Sequence, residues 1–523
     1  MGQFDGRRLS WPRLALLVVV IAALVLASLR SWTWFQESRA LDDASAPGFS
    51  GYVDVTATPR EPFESPESAA ALDATLSFVV SDPGAPCTPS WGGAYSMDEA
   101  GDALDLDRRI ALLRQRGGNP LVSFGGQANT DLAVGCTSPD ELLSAYKGVV
   151  SRYKVRTIDL DVEGKALSDT SATARRGEAI ARLQEDTHVK VWLTVPVARS
   201  GLTAEGLALV TGTIAAGVDL AGVNLMTMDY GDLPSGQTMG EAAVSALNAA
   251  HTQLGRVYAH GGKRPTGLAV WQRMGATAMI GQNDIAGEVF TLADAARLRS
   301  FATAHKLGRV AMWSLNRDRA CGANYPDVTI VSDACSGVTQ APSAFTAALS
   351  GVDHTTTSAD ASTPRAAATP TADPTVMPSD DPSTAPYPVW APSHVYVQAE
   401  RVVWHHNVYE AKWWTSGDMP DDPLQTESPW TLLGPVLPGE RPEPSPTLAA
   451  GTYPEWRIGR VYHEGDRVLF ENTAYEAQWW TQGDRPGVPG TAAVPSPWRA
   501  LTPTEVLQIQ KLGPSAAAAA HGR

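Results

Sequence analysis

Apolar, strand-like runs alternate with amphipathic helical patterns between residues 48 and 351, and few folds accommodate this alternation. Helical patterns occupy 106–117, 140–154 and 292–308, among others. Eight strands separated by helices in a block of roughly 300 residues predict an α/β fold, a (β/α)8 barrel with its functional residues at the carboxyl ends of the strands. The runs that we expect to form these strands are 51–57, 74–80, 120–126, 157–164, 189–197, 221–231, 266–274 and 310–318.

The fourth run, RTIDLDVEG, carries acids at every second position: Asp159, Asp161 and Glu163. Side chains alternate between the two faces of a strand, so the acids share one face and the aliphatic residues between them share the other. A surface strand would turn its acids to water. In a barrel strand the acids point into the lumen, with Glu163 nearest the carboxyl end. We therefore expect a carboxylate cluster in which mutual repulsion leads one acid to bind a proton readily.

An uncharged run of 16 residues, 14–29, follows three arginines near the N-terminus. A membrane span needs about 20 residues, and the flanking Trp11, Trp32 and Trp34 extend the run as interfacial anchors. A cleaved signal peptide has the same basic flank and apolar core, but no small-residue cleavage site directly follows the run. With either an uncleaved anchor or a cleaved signal peptide, the bulk of the chain is exported. We favour an uncleaved anchor at 14–34 behind a basic segment at 1–13, with the remainder of the chain extracellular; cleavage would make the protein secreted.

The four cysteines predict two disulfides in an exported protein. Four cysteines allow three pairings, and sequence order favours Cys87–Cys136 and Cys321–Cys335. Neither C-x-x-C pairs nor zinc-ligand spacings occur, so we predict no metal site. The net charge of -15, without a long basic patch, argues against a nucleic-acid partner.

Two stretches rich in Pro, Thr, Ser and Ala, 352–386 and 435–451, are predicted linkers because they hold too few large apolar residues to pack. The tail 503–523 is expected to be disordered. The blocks beside the linkers, 387–434 and 452–502, repeat each other at an offset of 66 residues through the pattern Y-x-A-[KQ]-W-W-T-x-G-D. Two repeats are too few for a solenoid, so we predict two independent small modules.

Each repeat holds more large aromatic residues than the small core of a module of about 50 residues can bury. Exposed flat rings stack well on sugar faces. The pattern resembles the small chitin-binding modules of carbohydrate-binding families 5 and 12. This resemblance implies that six aromatic residues bind chitin: Tyr409, Trp413 and Trp414 in the first module and Tyr475, Trp479 and Trp480 in the second.

The large block resembles glycoside hydrolase family 18, the chitinase family, through four motifs in family order. IDLDVEG is similar to the D-x-D-x-E core, SFGG (123–126) to the S-x-G-G motif, and MTMDYG (226–231) to the sixth-strand motif. Trp313 is similar to the tryptophan on the last strand. The sequence departs from the family at Met228, where many relatives have a tyrosine, at Gly164, and at Arg156-Thr157.

The resemblance implies a substrate-assisted mechanism in which the sugar supplies the nucleophile. Glu163 is then the general acid and base, Asp161 binds the acetamide N–H, and Asp159 supports Asp161 from below. Trp313 forms the floor of the site. The further residues implied in substrate binding are Asp229, Tyr230, Met228, Ser123, Gly125 and Gly126.

These inferences predict a chitinase-like enzyme that hydrolyses β-1,4-linked N-acetylglucosamine polymers, in the endo mode, as a monomer without a cofactor. Two alternatives stay open. In the first, the chain is a non-catalytic, surface-displayed chitin-binding protein. In the second, it is a related hydrolase that acts on peptidoglycan or on the N-glycan core.

Overall fold

The computed structural model describes residues 45–66, 71–231, 233–260, 266–351, 380–392, 394–423, 425, 427–441, 447–471, 473–487, 496–501, 505–506 and 509–510. The predicted segments 1–13 and 14–34 lie outside these residues, as do most of the linker 352–386 and of the tail 503–523. Within the described part of the chain, no helix is both long and apolar enough to cross a bilayer. The chain divides into two compact units with a boundary between Ala367 and Ala368, and each is described by itself.

Eight parallel strands form the closed barrel of the first unit, which confirms the predicted fold class. The strands pair in chain order, and the first pairs with both the second and the last. The barrel strands are β1 Gly48–Asp54, β2 Asp73–Asp82, β3 Asn119–Gly125, β4 Thr157–Asp161, β5 Lys190–Pro196, β6 Leu220–Met226, β7 Met274–Met279 and β8 Arg309–Trp313.

Helices surround the barrel, and one apolar cluster fills the space between strands and helices. Many helices begin at a capping side chain, as where Ser138 accepts a hydrogen bond from the backbone of Glu141 and Pro139 follows at the first helical position. The helices are Met97–Leu104, Leu106–Gln115, Leu132–Gly135, Pro139–Tyr153, Gly164–Ser168, Thr170–Thr187, Ala204–Ala215, Met239–His260, Gly267–Trp271, Leu292–His305 and Ala344–Ser350, with a 3-10 turn at Leu315–Arg317. Short accessory strands lie at Ala85–Trp91, Tyr95–Ser96, Gly281–Gln282 and Val289–Phe290.

The predicted seventh strand, 266–274, is wrong. Residues Gly267–Trp271 form a helix whose first turn is capped by the side chain of Thr266, and β7 follows at Met274–Met279. This strand reads MGATAM and is buried throughout. Its small residues give little β-propensity, so the preceding run with its larger aliphatic residues offered the stronger strand signal.

The second unit contains two β-rich modules of the same design. The strands of the first are Val395–Tyr396, Arg401–Trp404, Asn407–Ala411, Thr415–Ser416 and Trp430–Pro435. Those of the second are Val461–Tyr462, Arg467–Phe470, Thr473–Ala477, Thr481–Gln482 and Trp498–Ala500. In each module a tryptophan of the last strand is buried, and its indole N–H donates to the backbone of the aspartate in the T-x-G-D motif: Trp430 to Asp418 at 2.9 Å and Trp498 to Asp484 at 2.8 Å. The repeat in sequence is thus a repeat of tertiary contacts.

The modules extend past their predicted boundaries. Asp380, placed in the linker by sequence, accepts hydrogen bonds from the backbone of His405 and His406 in the first module. Val506 and Ile509, placed in the disordered tail, are buried beside Leu448 and other apolar residues of the second module. The prediction of disorder is therefore wrong for the described residues of 505–510, because these aliphatic side chains complete a small apolar core.

Both predicted disulfides, Cys87–Cys136 and Cys321–Cys335, are present. The first joins the accessory strand Ala85–Trp91 to the residue that follows helix Leu132–Gly135. The second closes a loop after β8. Both lie in segments that connect barrel elements.

Candidate active site

Two acids of the D-x-D-x-E motif, Asp159 and Asp161, are buried on β4, and Glu163 follows the strand. Asp159 is fully buried and accepts hydrogen bonds from side chains of four other strands. Tyr52 and Ser123 donate to Oδ2, each at 2.8 Å, while Thr194 and Arg309 donate to Oδ1 at 2.6 and 3.2 Å. Contacts from strands on every side are possible only for a residue in the lumen.

This carboxylate is the centre of a polar network that crosses the barrel. Asn224 donates to Thr194 and Thr277, at 3.0 and 2.6 Å, and Arg309 donates to Thr75 at 2.7 Å. Each of the eight strands contributes one member: Tyr52, Thr75, Ser123, Asp159, Thr194, Asn224, Thr277 and Arg309. The network fixes the strands relative to one another directly beneath the site.

Asp161 lies above this network and differs from Asp159 in its surroundings. Its side chain is buried, yet Oδ1 has no hydrogen-bond partner among the described residues. Burial, together with the negative charges of Glu163 and Asp159, raises the pKa of Asp161 well above its ordinary value. A buried and unsatisfied carboxyl oxygen is costly in the absence of a partner, which makes it a ready acceptor for a ligand N–H.

Glu163 follows β4 at the mouth of the barrel, in extended backbone, and is half-buried. Its carboxyl group does not cap the helix Gly164–Ser168 that begins directly after it. Burial raises the pKa of Glu163 to about 7, and the negative charges of Asp229 and Asp284 contribute to the increase. This acid therefore holds or releases a proton near neutral pH, as a general acid and base must.

The loop after β6 holds Asp229 against the loop after β7. Oδ1 of Asp229 accepts hydrogen bonds from the backbone of Asp284 at 2.8 Å and of Ile285 at 3.3 Å. The carboxylate of Glu288 accepts from the backbone of Tyr230 and of the next residue, at 2.8 and 2.7 Å. Sequence reasoning missed Asp284 and Glu288, because they lie in a loop outside every recognised motif.

Tyr230 and Met228 lie on the same loop, half-buried. The hydroxyl of Tyr230 is buried and has no hydrogen-bond partner among the described residues. Burial raises the pKa of Tyr230. The negative charge of Glu288 raises it further, and the positive charge of Arg199 lowers it. The hydroxyl is thus available as a donor, and whether it meets the sugar stays a prediction.

Three aromatic rings line the lumen beside the acids. Trp313, at the end of β8, stacks on Phe78 with ring centres 5.4 Å apart and an angle of 19° between the planes. Tyr52 lies 6.3 Å from both rings. Trp313 was predicted as a floor for the sugar, whereas Phe78 was missed because it lies within an apolar strand sequence that resembles ordinary core.

Ser123, Gly125 and Gly126 occupy the predicted place at the end of β3, but they face other parts of the protein. Ser123 is fully buried, and its hydroxyl donates to Asp159. A Cβ on Gly125 would lie 2.0 Å from the backbone oxygen of Asp161, and one on Gly126 would lie 2.8 Å from the Phe78 ring. All three thus pack against the acids or against the aromatic floor, and their contact with substrate stays a prediction.

The departures from the family pattern lie in different places. Arg156 is exposed and precedes β4, at the end of the barrel opposite Glu163. Gly164 has a φ of +55°, and a Cβ there would meet nothing within 4 Å. The rim of the cleft is therefore open beside Glu163.

The tryptophan pairs of the two modules are exposed. The exposed fraction is 47% and 49% for Trp413 and Trp414, and 40% and 57% for Trp479 and Trp480. Tyr409, in contrast, is only 6% exposed and packs in the core of the first module. This burial leaves little of the Tyr409 ring for a sugar, and its role in chitin binding stays a prediction. Tyr475 is half-buried against the core of the second module.

Within the described residues, the single group of side chains with metal-ligand spacing is Cys87, Cys136 and Glu141. Both cysteines are bonded to each other, which leaves no thiolate for a metal.

Comparison with known families and proteins finds similar sequences for both parts of the chain. Residues 455–499 match the model of carbohydrate-binding module family 5/12. A probable bifunctional chitinase/lysozyme of Escherichia coli is 36% identical over 262 residues, which cover 48% of this chain and 28% of that protein. Endochitinase 11 of Metarhizium anisopliae is 35% identical over 257 residues, 47% of each chain. The chain thus spans less than half the length of these relatives.

The barrel is also similar to a solved structure. The catalytic domain of the hyperthermophilic chitinase from Pyrococcus furiosus superposes with a TM-score of 0.51 at 27% identity, covering 59% of this chain and 96% of that one. A region of this size corresponds to the barrel unit, so nearly all of that solved domain is matched by this part of the chain.

Proposed function

We propose that this chain, which carries a chitinase-like glycoside hydrolase family 18 barrel and a family 5/12 carbohydrate-binding module, hydrolyses β-1,4-linked N-acetylglucosamine polymers. The observation that carries the proposal is the contrast between two neighbouring acids at the barrel mouth. Asp161 is buried with an unsatisfied oxygen, and Glu163 is half-buried with a pKa raised to about 7. The pair supplies an acceptor for an amide N–H beside a group that can donate a proton.

In the first step the 2-acetamido carbonyl oxygen of the sugar attacks C1 while the bond from C1 to the glycosidic oxygen breaks. Glu163 donates its proton to the departing oxygen, and an oxazolinium-like intermediate forms. Asp161 accepts a hydrogen bond from the acetamide N–H, which orients the carbonyl and stabilises the positive charge that develops on the amide. Asp159 lies on the same face of β4, and its negative charge contributes to the raised pKa of Asp161.

In the second step Glu163, now a carboxylate, takes a proton from water as the water oxygen bonds to C1. The acetamido oxygen leaves C1, and the sugar regains its original configuration. The stack of Trp313 and Phe78 offers a flat apolar surface for the sugar ring. Asp229 and Tyr230 lie on the neighbouring loop as candidate contacts for polar groups of the sugar.

Replacing Glu163 with Gln tests the proposal, because the amide keeps the size of the side chain but cannot donate the proton. We expect hydrolysis of a chromogenic chitobioside to fall by about 10²-fold to 10⁴-fold. Binding to insoluble chitin should be unchanged, since the modules are untouched. Equal hydrolysis by both proteins would refute the role of Glu163. A wild-type protein that binds chitin without turnover would instead support the alternative of a non-catalytic chitin-binding protein.

A second substrate is supported by one observation. The Escherichia coli relative is described as a chitinase/lysozyme, and peptidoglycan shares the N-acetylated sugars that the mechanism needs. The rim of the cleft is open beside Gly164, which leaves room there for a polysaccharide with bulkier substituents than chitin. Digestion of chitin, peptidoglycan and a glycoprotein, with mass analysis of the products, distinguishes the three substrates, and we expect chitin oligosaccharides as the main product.

We also propose that the protein is exported as a monomer and stays anchored in the membrane by residues 14–34. The basic flank, the apolar run and the flanking tryptophans of the sequence support this proposal. Fractionation of cells tests it: an anchored protein stays with membranes and is accessible to external protease, whereas a cleaved one is found in the medium with a shortened N-terminus.

A further inference from the structure

The disulfide Cys87–Cys136 has an acidic neighbour whose position the cross-link does not explain. Oε2 of Glu141 lies 3.2 Å from Sγ of Cys87. A sulfur in a disulfide carries no hydrogen, so it cannot donate a hydrogen bond to this carboxylate. The ligand atoms of Cys87, Cys136 and Glu141 nevertheless all lie within 4.8 Å of one another. The carboxylate is thus close to two sulfurs that offer it no hydrogen bond in the oxidised state.

Two sulfurs and one carboxylate oxygen form a donor set for a soft divalent cation once the disulfide is opened. Thiolates favour zinc over magnesium and calcium, and carboxylates also bind zinc. Zn–S bonds of about 2.3 Å and Zn–O bonds of about 2.1 Å in a tetrahedron hold sulfur and oxygen about 3.5 Å apart. The observed distance of 3.2 Å between Cys87 and Glu141 is close to this value. Only the two sulfurs must separate, to about 3.8 Å.

The chain around Cys87 allows this separation. Cys136 is fully buried directly after the helix Leu132–Gly135, so it is the fixed side of the pair. Cys87 lies in the accessory strand Ala85–Trp91, whose pairing with β2 shifts register so that residues 86–88 bulge out. Most residues at this end of the strand are exposed. A shift of Cys87 by about 2 Å therefore does not require the barrel core to repack.

Glu141 is held in place by the first turn of the helix Pro139–Tyr153. Its backbone N–H donates to the hydroxyl of Ser138 at 3.3 Å, and its side chain is exposed, so an ion can reach it from solvent. The disulfide Cys321–Cys335 differs in this respect. Within the described part of the chain, its cysteines belong to no group of three potential metal ligands. The acid thus distinguishes the two cross-links.

We propose that Cys87, Cys136 and Glu141 form a zinc site when the disulfide is reduced, so that this cross-link exists either as a disulfide or as a zinc dithiolate. A dithiol reductant supplies the two electrons and two protons that convert the S–S bond into two thiols, and it closes into its own disulfide. Zn²⁺ then displaces both thiol protons, which pass to water, and a water molecule takes the fourth tetrahedral position.

Zinc in this place keeps the accessory strand attached to the neighbouring helices in a reducing environment. Sequence spacing did not indicate the site, because 49 positions separate the two cysteines. The proposal does not depend on the proposed hydrolysis of sugar polymers.

Zinc binding by the full chain, measured by competition with a chromogenic chelator, tests the proposal. The protein is reduced with a dithiol and then freed of it in the absence of oxygen. We expect one more bound zinc ion per reduced chain than per oxidised chain. Cys321→Ser/Cys335→Ser should keep this ion, whereas Cys87→Ser/Cys136→Ser should lose it. Equal binding by the oxidised and reduced chains, or retention of the ion without Cys87 and Cys136, would overturn the proposal.

Glu141→Gln tests the third ligand without removing a cysteine. The amide keeps the size of the side chain but is a poor zinc ligand. Affinity of the reduced chain should fall by more than about tenfold, since even partners outside the ligand shell typically contribute about 10-fold to 100-fold. Asp140→Asn is the matched control, because Asp140 lies in the same helical turn and pairs with Arg182. This control should bind zinc as tightly as wild type, and equal affinity in Glu141→Gln would overturn the role of Glu141.

Discussion

At the scale of residues, three chemically similar acids on one strand acquire different properties from their surroundings. Asp159 is saturated with donors, Asp161 is buried without a partner at Oδ1, and Glu163 is half-buried at the mouth. Alternation along β4 predicts only that they share a face. Their division into a support, an acceptor and an acid comes from residues on other strands.

Activity should depend on the protonation of Glu163. Burial and the acids beside it raise its pKa to about 7, and the group must be protonated to act as the acid. The protonated fraction is high below this pKa and falls as pH rises through it. We therefore expect kcat/KM on a soluble chitooligosaccharide to decline from neutral pH upward. A rate that stays constant far into the alkaline range would contradict the assignment of Glu163 as the acid.

Asp284 should influence the pKa of Glu163, although Asp284 lies outside the recognised motifs. Its negative charge raises the pKa of Glu163, so Asp284→Asn should lower that pKa and move the alkaline limb of the profile down by up to about one unit. Asp333→Asn is the matched control, because Asp333 acts on Arg317 and is not among the charges that act on Glu163. Identical profiles for wild type and Asp284→Asn would show that this charge does not reach the acid.

At the scale of elements, the predictions succeeded where a strand or helix has a strong period and failed where it does not. Helix Leu292–His305 and strand β4 lie within the predicted segments 292–308 and 157–164. Strand β7 was misplaced because its small residues carry little signal. The three acids were found because they are close in sequence. The other six members of the network, Arg309 among them, were missed because polar residues scattered singly over the strands come together only in the closed barrel.

Aromatic residues in one module should separate into core and surface by their effect on stability. Tyr409 is buried in the first module, so Tyr409→Ala should destabilise that module by about 3 kcal/mol. Trp413 is exposed, so Trp413→Ala should change stability by less than about 0.5 kcal/mol and weaken chitin binding. Hydrogen exchange of peptides from 395–435 measures the first effect. If both variants exchanged faster than wild type by the same amount, the division into a core tyrosine and a surface tryptophan would be refuted.

At the scale of the whole molecule, a barrel with a candidate active site and two modules with exposed tryptophan pairs share one chain. Replacing Trp413, Trp414, Trp479 and Trp480 with Ala should reduce hydrolysis of insoluble chitin by at least about tenfold, because tethered binding sites raise the local enzyme concentration on a polymer. Hydrolysis of short soluble oligomers should be unchanged. Val397→Ala/Ile458→Ala is the control, since it removes exposed aliphatic side chains from the same modules. Equal losses on both substrates would mean that the tryptophans act in another way.

The disulfide Cys87–Cys136 should stabilise the barrel because it joins residues separated by 49 positions. Loop-closure entropy in the unfolded chain predicts a contribution of about 4 kcal/mol. Replacing both cysteines with Ser should lower the free energy of unfolding by that order in denaturant titrations. The pH profile of activity should be unaffected, since neither cysteine contacts the three acids. No change in stability would show that the closed loop does not constrain the unfolded chain.

The central claim is that the substrate's own acetamido group is the nucleophile, positioned by Asp161 and assisted by Glu163. Proton NMR of the products formed in the first moments of hydrolysis of an N-acetylglucosamine oligomer tests it most directly. We predict that the new reducing ends appear first as the β-anomer, and that an oligomer without acetyl groups is not cleaved. Initial appearance of the α-anomer, or equal cleavage of the deacetylated oligomer, would contradict the account.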